Sequence, residues 1–142
     1  MTDIPREKIE GVPSLFSLQD RVAVITGGSK GLGRGIGLAF AAAGAHVVPV
    51  SRTLEDLESV SEEIRSLGRR SIPVVADVTL DEPVEEMVRK VMEEFGGIDI
   101  LVANAANRSN TPFENLSWEI WKQTIDISIH GAFIAGTTAF AR

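Results

Sequence analysis

Residues 22–37 read VAVITGGSKGLGRGIG, and this stretch holds the clearest structural signal in the chain. It opens with the run VAVIT, whose apolar and β-branched residues are typical of a buried strand. Six of the eleven residues at 27–37 are glycine, a residue that permits positive φ and close approach of the backbone. Helical apolar spacing begins at Ile36 and is closed by Gly44. The stretch therefore predicts a strand, a glycine-rich turn and a helix, in that order.

The alternation of strand and helix continues along the chain. Short apolar runs predict three further strands, at residues 47–50, 72–76 and 98–103. Three helices are predicted to begin near Thr53, Thr79 and Ser117, and Asp56 and Glu82 follow the first two at capping-box spacing. Repeated strand–helix units of this kind are typical of a parallel sheet with helices on both faces. We predict an α/β fold, a Rossmann-like doubly wound parallel sheet with strand order 3-2-1-4, truncated so that later strands are absent.

A proline and the last helix complicate this pattern. Pro49 has no N–H to donate to a neighbouring strand, so we expect local irregularity where it occurs in a strand that should be internal.

The last helix carries an apolar stripe that we expect to cover the sheet, formed by Trp118, Trp121, Ile125, Ile129, Ala132, Phe133, Gly136 and Phe140. Because Ile120, Ile127 and Ile134 lie off this stripe, the helix is apolar on several faces and should be buried or paired.

Length and composition limit the domain count and the class of partner. The chain has 142 residues, and we divide it into an N-terminal arm, residues 1–20, and one partial Rossmann domain, residues 21–142. A net charge of -6 disfavours binding to nucleic acid or to anionic membranes. With no cysteine and two histidines, we expect no metal site. No run approaches the ~18 apolar residues of a membrane span, and the charged N-terminus lacks a signal core, so we expect a soluble, cytoplasmic protein.

The predicted topology brings two loops to one edge of the sheet. Ligands of open α/β sheets bind beyond the carboxyl ends of the strands, at the point where the strand order reverses. The glycine-rich turn and the loop that begins at Asn104 meet at that point. The helix after the turn offers unpaired N–H groups and a positive dipole end, which suit a phosphate. A Walker loop is excluded, since no Gly-Lys-Ser/Thr follows four spacer residues.

Several short motifs carry a resemblance to a known family. The sequence TGGSKGLG at residues 26–33 resembles the Thr-Gly-x-x-x-Gly-x-Gly fingerprint of the short-chain dehydrogenase/reductase family. The motifs ADV at 76–78, ANAA at 103–106 and DISIHG at 126–131 follow in that family's order. The resemblance runs from about Leu18 to the last residue. It implies the N-terminal, cofactor-binding half of a family member, with an NAD(P)-binding domain.

The resemblance implies a set of residues that contact a dinucleotide. Around the pyrophosphate these are Gly27, Ser29, Lys30, Gly31, Leu32 and Gly33, with the glycines shaping the turn. Asp77 and Val78 are implied at the adenine. Asn104 and Ala105 are implied at the nicotinamide ribose.

The charges near the second strand bear on the choice of dinucleotide. NAD sites use an acidic residue about 20 positions past the glycines to hold the ribose 2′-hydroxyl, but here no acid occurs from Val50 until Glu55. Arg52 instead offers a planar, permanently charged group for a 2′-phosphate, and Lys30 adds a second positive charge. In the family such residues accompany NADP preference. We therefore expect NADP as cofactor, with NAD as the second choice.

The chain also departs from the family. Family members transfer a hydride between the nicotinamide and an alcohol or carbonyl, using a tyrosine, a lysine four residues on and an upstream serine. This chain has no tyrosine, so we expect no catalytic residue in it and no turnover by it alone. Ser128 stands where the family has an asparagine, and for it we favour a hydrogen bond within its own helix. Ala103 and Ala106 replace an asparagine and a glycine that are common in the family motif.

Three functional hypotheses remain open. The favoured one is an oxidoreductase, present as its cofactor-binding half, that acts on a small alcohol or ketone in the full-length form. The second is a non-catalytic NADP-binding module that pairs with or regulates a full-length relative. The third is a different Rossmann enzyme, such as a methyltransferase, which the lack of an acid after the second strand disfavours. Because the fourth strand would be an apolar edge, we also expect a homo-oligomer or pairing with a full-length relative.

Overall fold

The strands form one parallel sheet in the expected order. The computed structural model describes residues 16–107 and 110–140, so most of the expected arm at residues 1–20 lies outside the described residues. The four strands are β1 (Val22–Thr26), β2 (His46–Ser51), β3 (Val74–Val75) and β4 (Ile100–Ala103). They are arranged β3-β2-β1-β4, and every neighbouring pair is parallel. The predicted α/β class and strand order are confirmed.

Helices cover both faces of the sheet. They are α1 (Gly31–Ala42), α2 (Leu54–Ser66), α3 (Asp81–Phe95), α4 (Trp118–Ile125) and α5 (Gly131–Phe140). A π-helical turn at Asp126–His130 joins α4 to α5, and a 3-10 turn at Phe113–Asn115 precedes α4. Within the described ranges, no helix is both long and apolar enough to cross a membrane.

Two apolar clusters hold these layers together, one on each face. Successive residues of a strand point to opposite faces, so Val24 joins the cluster beneath α3 and α5, while Ile25 joins the cluster beneath α1 and α2. Both side chains are fully buried. Burial on both faces explains why β1 and β2 are continuous apolar runs rather than alternating ones. The strands are thus apolar throughout because helices bury both faces of the sheet.

The third strand is shorter than predicted, and Pro49 supplies a reason. The Val47 N–H donates to the Arg70 carbonyl at 3.1 Å. The next donor on that side of β2 falls two residues later, at Pro49, which has none. Regular pairing with β3 resumes only from Val50 opposite Val74. Strand β2 itself stays regular against β1, so the irregularity expected at Pro49 lies in its pairing with β3.

The prediction for the last helix is wrong about which face packs on the sheet. The large side chains of the predicted stripe are exposed: Trp118, Trp121, Ile129, Phe133 and Phe140. The buried residues of α5 are the small Gly131, Ala135 and Ala139, and Ile134 packs beside them on the core. Small residues four apart let the α5 backbone approach the sheet and α3 closely, and the π-helical turn changes the register ahead of them.

Of the three predicted helix N-caps, one forms the expected side-chain hydrogen bond. The Ser117 hydroxyl accepts the Ile120 N–H at 3.3 Å, which confirms the predicted cap of α4. The capping box predicted from Thr79 and Glu82 is wrong, because α3 begins at Asp81 and Leu80 occupies its N-cap. Thr53 does stand at the N-cap of α2, but its side chain forms no capping bond.

Candidate functional site

A cleft of about 670 Å³ lies beyond the carboxyl ends of the strands, and the turn after β1 and the loop after β4 both line it. Its volume is within the usual range of small-molecule sites. It brings together nearly all of the residues expected from sequence to contact a dinucleotide: Gly27, Ser29, Lys30, Leu32, Gly33, Arg52, Asp77, Val78, Asn104 and Ala105. The exception is Gly31, which begins α1 with a φ of 55° and does not line the cleft.

Seven further residues line the cleft that sequence reasoning did not assign to it: Val50, Ser51, Thr53, Asp56, Ala76, Ala106 and Ile127. Three of these, Val50, Ser51 and Ala76, lie at the end of a strand or directly follow one, so the topology alone could have placed them there. Asp56 differs, because it lies in the first turn of α2. Its position three residues after Thr53 indicated only the start of a helix, so no sequence signal assigned it to the cleft.

The glycine-rich turn delivers the start of α1 to the cleft. Lys30 is the N-cap of α1, and no side chain caps its first N–H groups. Such N–H groups, with the helix dipole behind them, attract a phosphate. The turn is too tight for any side chain at Gly33, where a Cβ would meet the Gly27 carbonyl and approach Asn104 Nδ2 to 2.6 Å. The sequence therefore shapes this turn by leaving out side chains.

Thr26 and Asn104 tie the glycine-rich turn to the loop after β4. The amide of Asn104 donates through Nδ2 to the carbonyls of Thr26 at 3.0 Å and Gly27 at 3.2 Å. The buried Thr26 hydroxyl accepts the N–H groups of Asn104 and Ala105, each at 3.1 Å. The Asn104 side chain thus holds together the two loops that form the floor of the cleft.

Two cations of the cleft form no hydrogen bond or ion pair with any residue that the structure describes. Among the lysines and arginines that the structure describes, all but Lys30 and Arg52 donate to a carboxylate or a carbonyl: Arg21, Arg34, Arg65, Arg69, Arg70, Arg89, Lys90 and Lys122. Both exceptions line the cleft. Unpaired cations beside a helix N-terminus form a local field that favours a polyanion.

Asp77 is held in place by its own turn. Its carboxylate accepts the Thr79 N–H at 3.0 Å and the Thr79 hydroxyl at 2.7 Å. These hydrogen bonds, the backbone one first, lower the pKa of Asp77, and the positive charge of Arg52 lowers it further. Asp77 is therefore ionised at neutral pH and lies within electrostatic reach of Arg52.

Ser128 lies outside the cleft. It is exposed on the π-helical turn, whereas its neighbour Ile127 lines the cleft. The hydrogen bond within its helix that we favoured is absent from the described residues, where the hydroxyl groups of Thr124 and Thr137 bond back instead. On the same exposed turn, Asp126 pairs with Lys122 at 2.6 Å and with His130 at 3.1 Å.

The chain is similar in sequence and fold to known oxidoreductases and short-chain dehydrogenases. A sequence profile described as short chain dehydrogenase matches residues 21–142. An uncharacterized oxidoreductase of Mycobacterium tuberculosis is 48% identical over 90 residues, which are 63% of this chain and 34% of that protein. A short-chain type dehydrogenase/reductase from Mycobacterium marinum has a TM-score of 0.84 at 34% identity, over 90% of this chain and 53% of that one.

A third relative was solved with ligands. The structure of L-sorbose reductase from Gluconobacter frateurii, in complex with NADPH and L-sorbose, has a TM-score of 0.82 at 33% identity, over 89% of this chain and 48% of that one. The chain thus spans about half of each solved relative. The profile match extends over the whole sheet and every helix described above, and the chain belongs to the short-chain dehydrogenase family.

Proposed function

We propose that this chain binds NADP(H) and forms the cofactor-binding part of an oxidoreductase that transfers a hydride between the nicotinamide and an alcohol or carbonyl. The observation that carries the proposal is the position of Lys30 and Arg52, the two cations without partners among the described residues, in the cleft where α1 begins. NADP differs from NAD by a phosphate on the ribose, which needs positive charge that NAD does not need.

Each part of the cleft suits one part of the dinucleotide. The N–H groups at the start of α1 would hold the pyrophosphate. Arg52 would hold the 2′-phosphate through its planar guanidinium, with Lys30 nearby. Asp77 and Val78 would contact the adenine, and the loop at Asn104 and Ala105 would contact the nicotinamide ribose.

The bound nicotinamide would supply the hydride chemistry, while proton transfer to or from the substrate oxygen needs a protein group. The described cleft lining offers no tyrosine, since the sequence contains none. We propose that these 142 residues alone bind cofactor without turning over a substrate. The expected loss is about 10²–10⁴-fold from missing proton transfer alone.

Titration calorimetry with NADPH and NADH tests the cofactor proposal. We expect tighter binding of NADPH, and replacement of Arg52 by Asp should shift the preference toward NADH by about 10–100-fold, because it removes the cation and adds a like charge. Arg89→Asp is the control, because Arg89 is an exposed cation on α3 that does not line the cleft and pairs only with Glu86 and Glu93 of its own helix. It should leave the ratio of the two affinities unchanged. Equal affinities of the wild-type chain for both dinucleotides would contradict the proposal.

A non-catalytic binding module is the second candidate. The position of Ser128 favours it, because this residue replaces the family's asparagine and lies outside the cleft. Nicotinamide absorbance during incubation with a panel of sugars and ketones separates the two candidates when it is measured on the longest protein that the gene encodes. Turnover supports the enzyme, and binding without turnover supports the module.

We further propose that the chain associates with a second copy or with a longer relative through the exposed side of α4 and α5. The large apolar residues there include Trp118, Phe133 and Phe140, each more than half exposed. Trp118 and Trp121 stack with ring centroids 4.9 Å apart. Several large exposed apolar side chains on one helical segment are typical of an interface.

A further inference from the structure

Asp56 places a negative charge in the same cleft as the two cations expected to hold the phosphate. It lines the cleft together with Lys30 and Arg52 and lies in the first turn of α2. A carboxylate at this position commonly caps the helix by accepting the N–H of the N-cap residue. Here the Thr53 N–H donates to the Ser51 hydroxyl at 3.3 Å. Asp56 is therefore not needed for capping.

The two acidic residues of the cleft are in different situations. Asp77 accepts two hydrogen bonds from Thr79. The side chain of Asp56 forms no hydrogen bond and no ion pair within residues 16–107 and 110–140. Its charge is thus not compensated by any close donor in that part of the chain. The lining carries two cations and two anions, so its positive character depends on how these charges are arranged.

We propose that Asp56 is a specificity-determining residue whose carboxylate opposes the ribose 2′-phosphate and limits the preference for NADP that Lys30 and Arg52 create. The inference rests on the proposed function. A phosphate monoester carries between one and two negative charges near neutral pH, and like charges in a partly screened cleft repel each other. NAD has a neutral hydroxyl at the same position, so it escapes this repulsion.

Replacement of Asp56 by Asn tests the proposal, since it removes the charge and keeps the shape. Glu55→Gln is the matched control, because Glu55 is the neighbouring exposed carboxylate on α2 and does not line the cleft. We expect Asp56→Asn to tighten NADPH binding by about 3–10-fold and to leave NADH binding within about 2-fold. The control should change neither affinity by more than about 2-fold. The gain should shrink as the salt concentration rises from about 0.02 to 0.5 M, because salt screens charge repulsion.

The binding results distinguish a failure of the Asp56 inference from a failure of the proposed function. If the wild-type chain binds NADPH but Asp56→Asn leaves its affinity unchanged, the inference is wrong and the proposed function stands. Weaker NADH binding by the variant would also overturn it, since the carboxylate would then hold the ribose hydroxyl. Equal tightening of both dinucleotides would show a general charge effect and overturn it too. If the wild type binds neither dinucleotide, the proposed function fails first. Matching thermal unfolding curves establish that both variants are folded.

Discussion

The side-chain amide of Asn104 donates to the main-chain carbonyl of Gly27 at 3.2 Å, which links the loop after β4 to the turn after β1. The two residues are 77 apart in sequence, and their bond adds to the N–H bonds of Asn104 and Ala105 to the Thr26 hydroxyl. The same amide also reaches the Thr26 carbonyl. A hydrogen-bonded side chain thus helps to fix the floor of the cleft.

Asn104→Ala should therefore lower both stability and cofactor affinity. The substitution leaves the carbonyls of Thr26 and Gly27 without this donor, which costs about 1–2 kcal/mol in the free energy of unfolding. Urea denaturation measures the loss, and NADPH titration measures the affinity. Asn107→Ala is the matched control, because Asn107 forms one exposed hydrogen bond to Gln123. An equal loss of stability in both variants would contradict the assigned role of Asn104.

Gly33→Ala should abolish dinucleotide binding. The added Cβ would meet the Gly27 carbonyl oxygen and approach Asn104 Nδ2 to 2.6 Å, so the turn must open and the α1 N–H groups must move. We expect a loss of at least about 100-fold in NADPH affinity, or about 3 kcal/mol. Gly136→Ala is the control, since a Cβ there meets nothing within 4 Å and alanine favours the helix. Normal binding by Gly33→Ala would show that the turn tolerates a side chain.

His46 should make the fold less stable as the pH falls. Burial lowers the pKa of His46, and the charges of Arg69 and Arg70 lower it further, while Asp20 opposes them. The imidazole Nδ1 accepts the Arg70 N–H at 3.1 Å, which also requires a ring without a proton at that atom. The unfolded chain therefore binds this proton more tightly than the folded chain, and stability falls as the pH drops through about 6.5.

The pH effect can be isolated by His46→Asn, whose side-chain oxygen can still accept the Arg70 N–H. Urea midpoints between about pH 7.5 and 5.5 should fall less steeply for the variant than for the wild type. Asp20 has a pKa below its usual value of 3.8, mainly because of its hydrogen bond with Arg69, so it titrates outside this window. Parallel pH profiles of the two proteins would rule out His46 as the source of the slope.

Polar substitutions on the exposed helix face should reduce self-association. The double variant Trp118→Ser and Phe133→Ser removes two large side chains that are 65% and 69% exposed. Phe113→Ser is the matched control, because Phe113 is 88% exposed but lies on the 3-10 turn before α4. Sedimentation at several concentrations should show a weaker association for the double variant alone. A wild-type chain that stays monomeric at all concentrations would contradict the proposed interface.

The sheet was predictable from sequence because its determinants are local. Each strand is a short run of apolar, mostly β-branched residues, and each is followed by a turn residue and a helical period, as in VAVIT and the glycines after it. Handedness and strand order then follow from rules for parallel sheets. The glycine-rich turn was also local, so most of the expected cofactor residues do line one cleft.

The errors arose where a distant partner decides the outcome. Strand β3 is short because Pro49 lacks an N–H on the side of β2 that faces β3. The sequence alone does not show which neighbouring strand Pro49 faces. On α5, hydrophobicity favoured burial of Phe133, but Ala135 packs on the core since a small residue permits closer backbone contact. The spacing of Thr53 and Asp56 predicts a capping box, but the Thr53 N–H donates to the Ser51 hydroxyl instead, a contact that requires the folded loop.

The pairing between β2 and β3 is short, so the two ends of the cleft should differ in how readily their strands open. Strand β3 contributes only Val74 and Val75 to the ladder, whereas β1 is bonded along both sides. Amide protons of β3 should exchange with solvent through local opening, while those of β1 should exchange only when the whole domain unfolds. We therefore expect the end of the cleft that follows β3 at Asp77 to open locally more often than the end formed by the turn after β1.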